Sequence, residues 1–131
     1  MIRDYRVAFE KAQTEAEGGD LDAQARLGTM YGLGLGCAQD YFEAIRWHRL
    51  AARGGHLRAQ SNLGFMYGTG RGVPQDFVHA YAWYNLAAAA GEEHGRDNRE
   101  VVAARMTPNQ IERAQDLSRE LFDRFGAGSL D

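Results

Sequence analysis

The chain has 131 residues, 25% of them charged, a formal net charge of −3 and a pI near 5.8. That length suits one domain, and the charge balance lacks the basic footprint that nucleic-acid binding calls for. No apolar run is longer than Leu86–Ala90, far short of the roughly 20 residues that cross a bilayer as a helix. The lone Cys37 supports neither an internal disulfide framework nor a cysteine cluster for zinc.

The first predicted helix runs from Arg3 to Glu17, with Asp4 as its N-cap and Tyr5, Ala8, Phe9, Ala12 and Ala16 as its apolar stripe. Gly18-Gly19 stops it. A second helix is expected from about Leu21 to Tyr31, where Ala23, Leu27, Met30 and Tyr31 recur at helical spacing. Gly32, Gly34 and Gly36 should break it, because glycine adopts left-handed backbone at little cost. Asp40 then caps a third helix, with Glu43 at capping-box spacing. Tyr41, Ala44, Trp47, Ala51 and Ala52, with Ile45 and His48 beside them, face inward until Gly54-Gly55.

The next 36 residues say nearly the same thing again. Gly19–Gly54 set against Gly55–Ala90 without a gap gives 18 identities in 36 positions, among them Leu27/Leu63, Gly28/Gly64, Asp40/Asp76 and Trp47/Trp83. A fixed period of this size marks stacked supersecondary units, each too small to bury its apolar face alone. Asp4-Tyr5 precedes Asp40-Tyr41 by one period, so the chain opens on the second half of a unit. After Gly91 the pattern decays into a weaker helix carrying Val101, Val102, Ala104 and Met106. Thr107-Pro108-Asn109-Gln110 then starts a closing helix with Thr as N-cap, Pro at its first position and Gln at its third. Its expected inner face is Ile111, Ala114, Leu117, Leu121, Phe122 and Phe125. Seven helices and no strands result. The expected division is a half repeat at 4–18, full repeats at 19–54 and 55–90, a divergent capping pair at 91–125 and a tail at 126–131.

The string Ala59-Gln60-Ser61-Asn62-Leu63-Gly64-Phe65-Met66-Tyr67-Gly68-Thr69-Gly70-Arg71-Gly72-Val73-Pro74-Gln75-Asp76, continued by Ala80-Tyr81-Ala82-Trp83-Tyr84-Asn85-Leu86-Ala87-Ala88, resembles the Sel-1-like repeat. The earlier copy resembles it too, with Cys37-Ala38 in place of the usual Val-Pro. The resemblance implies an all-α, right-handed α/α solenoid of helix-turn-helix repeats, similar to tetratricopeptide arrays. It also implies a scaffold or adaptor for other proteins rather than an enzyme. A cysteine-rich branch of the family is linked to penicillin, but its paired cysteines have no counterpart in a chain with Cys37 alone.

Other motifs carry less chemistry. The Gly32–Gly36 loop follows a helix and lacks the strand and the Lys-Ser/Thr of a phosphate cradle, so it reads as an interhelix turn. His48, His56, His79 and His94 do not fall at ligand spacing, and Ser61 and Ser129 sit in no nucleophile turn. Cys37 reads as a small residue in the slot of Val73. No cofactor or metal is expected.

Function in a repeat protein is best sought where the copies differ. On the first helix of each unit, Asp22, Arg26, Thr29 and Leu33 share a face, and their counterparts are Arg58, Asn62, Phe65 and Thr69. The resemblance places this face on the concave side, where Arg96 and Arg99 would extend the row. Phe65 stands out as an apolar anchor for a peptide side chain, with Arg26, Arg58, Asn62 and Arg96 supplying polar contacts. The leading expectation is therefore a protein or peptide partner in that groove. A self-associating module using the exposed N-terminal helix, as a weak homodimer, is the alternative; a hydrolase of envelope material is a remote one. The expected compartment is the cytoplasm, or the periplasm or exterior where a signal peptide has been removed.

Overall fold

The computed structural model describes residues 4–126, which form seven α-helices and no strand. They are α1 (Tyr5–Glu17), α2 (Leu21–Leu33), α3 (Tyr41–Arg53), α4 (Leu57–Thr69), α5 (Phe77–Ala89), α6 (Glu93–Ala103) and α7 (Pro108–Phe125). Arg3, at the expected start of the first helix, and Ser129, in the tail, lie outside the described residues.

Two sets of N-caps recur at the period. Asp4, Asp40 and Asp76 accept backbone N–H groups at the starts of α1, α3 and α5. Asp20, His56 and Glu92 do the same for α2, α4 and α6, receiving the N–H of Ala23, Ala59 and Gly95. Any acceptor of suitable reach fills this role, so the cap is kept while the residue changes. Glu43 does not close the box expected with Asp40; its carboxylate pairs with Arg46 at 3.0 Å instead. Thr107 and Gln110 do form a reciprocal box at the start of α7. α2 and α4 run two residues further than expected, through Gly32 and Gly68. They stop at Gly34 and Gly70, whose φ of 71° and 72° is left-handed.

The helices stack as an α/α solenoid. α2 packs on α3 and α4 on α5 within the units, while α1 on α2 and α3 on α4 join them. Leu27 and Leu63, both 0% exposed, hold equivalent core positions, and such burial is worth about 1.5–3 kcal/mol for each side chain. Buried Gln24 and Gln60 tie each unit to the one before, donating from Nε2 to the carbonyls of Ala16 and Ala52 at 3.2 Å. Gly28 and Gly64 admit the rings of His48 and Tyr84, which lie within 2.9 Å of where a Cβ would stand.

The ends depart from the period. The stripe of α1 is covered within the chain: Ala12 and Ala16 pack with Ala23, Leu27, Met30 and Trp47, and Ala8, expected in that stripe, is exposed. α7 packs on α5 rather than on α6, with Phe125 stacked on Trp83 at 6.0 Å. Its inner face is Ala114, Ser118, Leu121 and Phe125, one helical turn at a time, and Ser118 satisfies its buried hydroxyl by donating to the Ala114 carbonyl. Phe122, expected inside, falls off that stripe and is 47% exposed.

Candidate interaction grooves

The first helices of successive units, α2, α4 and α6, leave grooves between them whose floors are second helices. The groove between α2 and α4 encloses about 440 Å³. Thr29 and Leu33 form one wall and Asn62 and Phe65 the other, with Tyr41, Ala44 and His48 of α3 beneath them. The groove between α4 and α6 is smaller, about 200 Å³, and is bounded by Phe65, Thr69, Phe77, Tyr84 and Val101. Phe65 lines both and stays 43% exposed, so it forms the ridge between them.

The structure sorts the residues singled out from the sequence. Thr29, Asn62, Phe65 and Thr69 come together along these grooves. The two threonine hydroxyls donate back to the carbonyls of Ala25 and Phe65 within their own helices. Asp22 and Arg26 line a separate hollow against α1. Asp22 accepts from His56 Nε2 at 2.8 Å, and Arg26 pairs with Glu15 at 3.8 Å. Because His56 Nδ1 receives the Ala59 N–H, its proton sits on Nε2 and faces Asp22. Arg58 and Arg96 are exposed beyond both grooves. Arg99 turns away from the row, donating to Asn85 of α5 at 2.8 Å and pairing with Glu100 at 3.0 Å.

Other groove residues escaped the sequence reading. Arg71 reaches in from the loop after α4, its guanidinium carbon 5.0 Å from the Phe65 ring centroid and 5.6 Å from that of Tyr41. Arg105 lies 5.1 Å from the centroid of Phe77. The signal was present: Arg71 occupies the slot of Leu35, a difference between copies in the loop rather than on the helix.

Burial governs His48, Tyr84 and Cys37, and hydrogen bonds govern Glu92. Desolvation, then the neighbouring His56, lowers the His48 pKa to about 4, so the imidazole is neutral near pH 7. Its Nδ1 is buried without a partner among the described residues. Burial also pushes the Tyr84 hydroxyl up to about 12. For Glu92 burial acts upward, but hydrogen bonds from Ser61, His94 and the Gly95 amide outweigh it and hold the carboxyl at about 2. The Cys37 thiol is pushed up by burial and then by Asp40, which keeps it protonated rather than nucleophilic. Among the described residues, no three His, Cys, Asp or Glu side chains gather as a metal site would need, and no helix is long and apolar enough to cross a membrane.

Comparison with known proteins agrees with this geometry. The Sel1 repeat pattern matches residues 21–56 and 57–92. Among solved structures, the chain superimposes with a TM-score of 0.92 and 31% identity on a protective antigen of uropathogenic Escherichia coli strains that displays an SLR fold. That match covers 95% of this chain and 27% of the antigen. A Sel1 repeat protein from Oxalobacter formigenes gives a TM-score of 0.70 at 28% identity over 77% of this chain and 42% of its own length. This chain thus spans well under half of either solved protein. No curated protein sequence matches it.

Proposed function

We propose, from the premise that this chain belongs to the Sel1 repeat family, that it is a non-catalytic scaffold which binds a partner protein through a peptide segment laid along the first-helix face. Proteins of the family are usually protein-interaction modules. The observation that carries the reading is Phe65. A large apolar side chain stays 43% exposed on a ridge flanked by two grooves, while the equivalent position in the other repeat holds Thr29. Aromatic anchors next to concave surface are typical centres of binding energy. Thr29, Asn62 and Thr69 would frame the bound segment; Arg58 and Arg96 lie exposed beyond it, and Asp22, Arg26 and Arg99 are engaged by His56, Glu15 and Asn85.

The α1 stripe that suggested self-association is already satisfied by α2 and Trp47, which favours a partner of a different kind. A protonated Cys37 thiol gives hydrolysis no nucleophile there.

The test compares wild type with Phe65→Ala in capture from lysate of the source organism, each captured protein being quantified. Loss of an anchor of this kind weakens binding by about 2 kcal/mol or more, so a true partner should drop out while far-UV circular dichroism is unchanged. Equal capture by both proteins would move the site off this face.

A further inference from the structure

Arg71 and Arg105 occupy matching places outside the first-helix row. Arg71 follows α4 and lies over Tyr41, the first residue of α3; Arg105 follows α6 and lies over Phe77, the first residue of α5. Tyr41 and Phe77 are one period apart. Each guanidinium therefore rests on the leading ring of the preceding unit's second helix, at the side of one of two successive grooves. In the first unit the slot of Arg71 is held by Leu35, packed into the apolar cluster with Tyr5 and Phe9.

Position and charge together set these two arginines apart. Among the described residues, Arg71 and Arg105 are the arginines that line these two grooves. Like Arg49, Arg53, Arg58, Arg113 and Arg124 they have no carboxylate within ion-pair distance among those residues, whereas Arg6, Arg26, Arg46, Arg96, Arg99 and Arg119 do. Among the described residues, neither groove is lined by an Asp or Glu, in a chain that carries 18 acidic residues against 15 basic ones. A guanidinium lying on a ring keeps its N–H edge for planar, paired acceptors, and its stacked pose has already lost part of its rotamer freedom. Cations of this kind, one on each side of an apolar ridge, complement an anionic chain with an apolar group in the middle.

Resting on the reading that this face binds a peptide, we propose that the occupant is an extended acidic peptide. One of its carboxylates sits on Arg71, a second on Arg105, and an apolar side chain packs on Phe65 between them. The peptide backbone then has Asn62 and the Oε1 of Gln39 for hydrogen bonds in the larger groove, the Gln39 Nε2 being engaged by the Gly32 carbonyl and the Tyr41 hydroxyl.

The test pans a displayed library of random linear peptides against the whole wild-type chain, then measures the synthesised winners by fluorescence anisotropy. Enriched peptides should carry Asp or Glu on both sides of an apolar residue. Their affinity should fall about tenfold in Arg71→Gln, the size expected for one charge-assisted contact, and again in Arg105→Gln, with circular dichroism unchanged. Arg71→Lys keeps the charge but loses the fork, and should recover only part of the loss. Winners without acidic enrichment, winners that bind the glutamine variants as well as wild type, or a library with no binder overturn the proposal. If Phe65→Ala still weakens winners that ignore Arg71 and Arg105, the carboxylate assignment fails and the groove survives; if Phe65→Ala is also silent, both fall.

Discussion

In the first full repeat the ring pressed against the first helix is an imidazole, His48 on Gly28; in the second it is a phenol, Tyr84 on Gly64. Both rings are nearly sealed, at 4% and 3% exposure. The shape of the slot is thus fixed by a glycine on one helix and a flat ring on its partner, while the chemistry of the ring is free to change. Tyr84 is neutral across the ordinary pH range, whereas His48 brings a titratable group and an unpartnered Nδ1 into the core. Two units that share half their positions can therefore differ in acid sensitivity and in the character of the grooves above them.

The contacts that make the units equivalent should be the most costly to break. Gly72, at φ 78°, brings the loop of the second repeat against the backbone carbonyl of Tyr41, and Gly36, at φ 75°, does the same against Tyr5. An added methyl meets backbone in each case and the φ is unfavourable for alanine, so Gly72→Ala should cost about 3 kcal/mol or more. Gly36→Ala presses only on the terminal helix α1, which can part from the array. It should lower the melting temperature less and strip hydrogen-exchange protection from α1 alone. Equal losses in the two variants would contradict the view that the units stack in the same way but are held unequally.

The ring slots come next. Gly28→Val and Gly64→Val each set branched carbon against a ring already 2.9 Å from the Cβ position, an overpacking worth roughly 2 kcal/mol. Thermal melts should show comparable losses if the two slots are one design; a much smaller loss for Gly28 would mean that the imidazole yields where the phenol cannot.

Helix positions, caps and core were legible because period and pattern are local: a carboxylate before an apolar stripe, glycine after it, and the same letters 36 residues on. The divergent end was less so. Phe122 fits an apolar stripe by composition, yet the face of α7 is decided by its packing on α5, which Ser118 and Leu121 meet. The groove was half legible. Phe65 and Asn62 could be found by comparing copies, but Asp22 and Arg99 look free in a sequence and are engaged in space by His56 and Asn85. Arg71 and Arg105 matter through rings more than 25 residues away in the chain, a relation that spacing within one helix cannot express.

Acid should separate the repeats more gently. The folded pKa of His48, about 4, lies below its ordinary 6.5, so between these values the unfolded chain holds more protons. His48 therefore contributes stability that is complete above pH 6.5 and is lost as pH falls toward 4. At pH 5 the loss is about 2 kcal/mol. His48→Tyr installs the second repeat's ring in the first and should remove this component. The difference between wild-type and variant denaturation curves should then grow only across that window, leaving the carboxylate losses at lower pH, Glu92 among them, common to both. A parallel pair of curves would mean that His48 is solvated.

The smallest expected effect is at the junction between the first two first helices. Asp22 on α2 accepts from His56, whose other ring nitrogen caps α4, so one imidazole links a cap in the second repeat to a carboxylate in the first. Removing that carboxylate with Asp22→Ala leaves the cap in place and opens Nε2–H to water. Because Asp22 is 81% exposed, the bond competes with water and should contribute only about 0.5 kcal/mol. Its signature is therefore structural rather than energetic. In Asp22→Ala, NMR should show His56 keeping its Nε2–H tautomer and the Ala59 amide staying protected, because the cap alone fixes both, while the Nε2–H loses its protection from solvent exchange. If that amide loses protection as well, the carboxylate has been holding the ring in its capping pose, and the junction between the repeats is coupled to the start of α4.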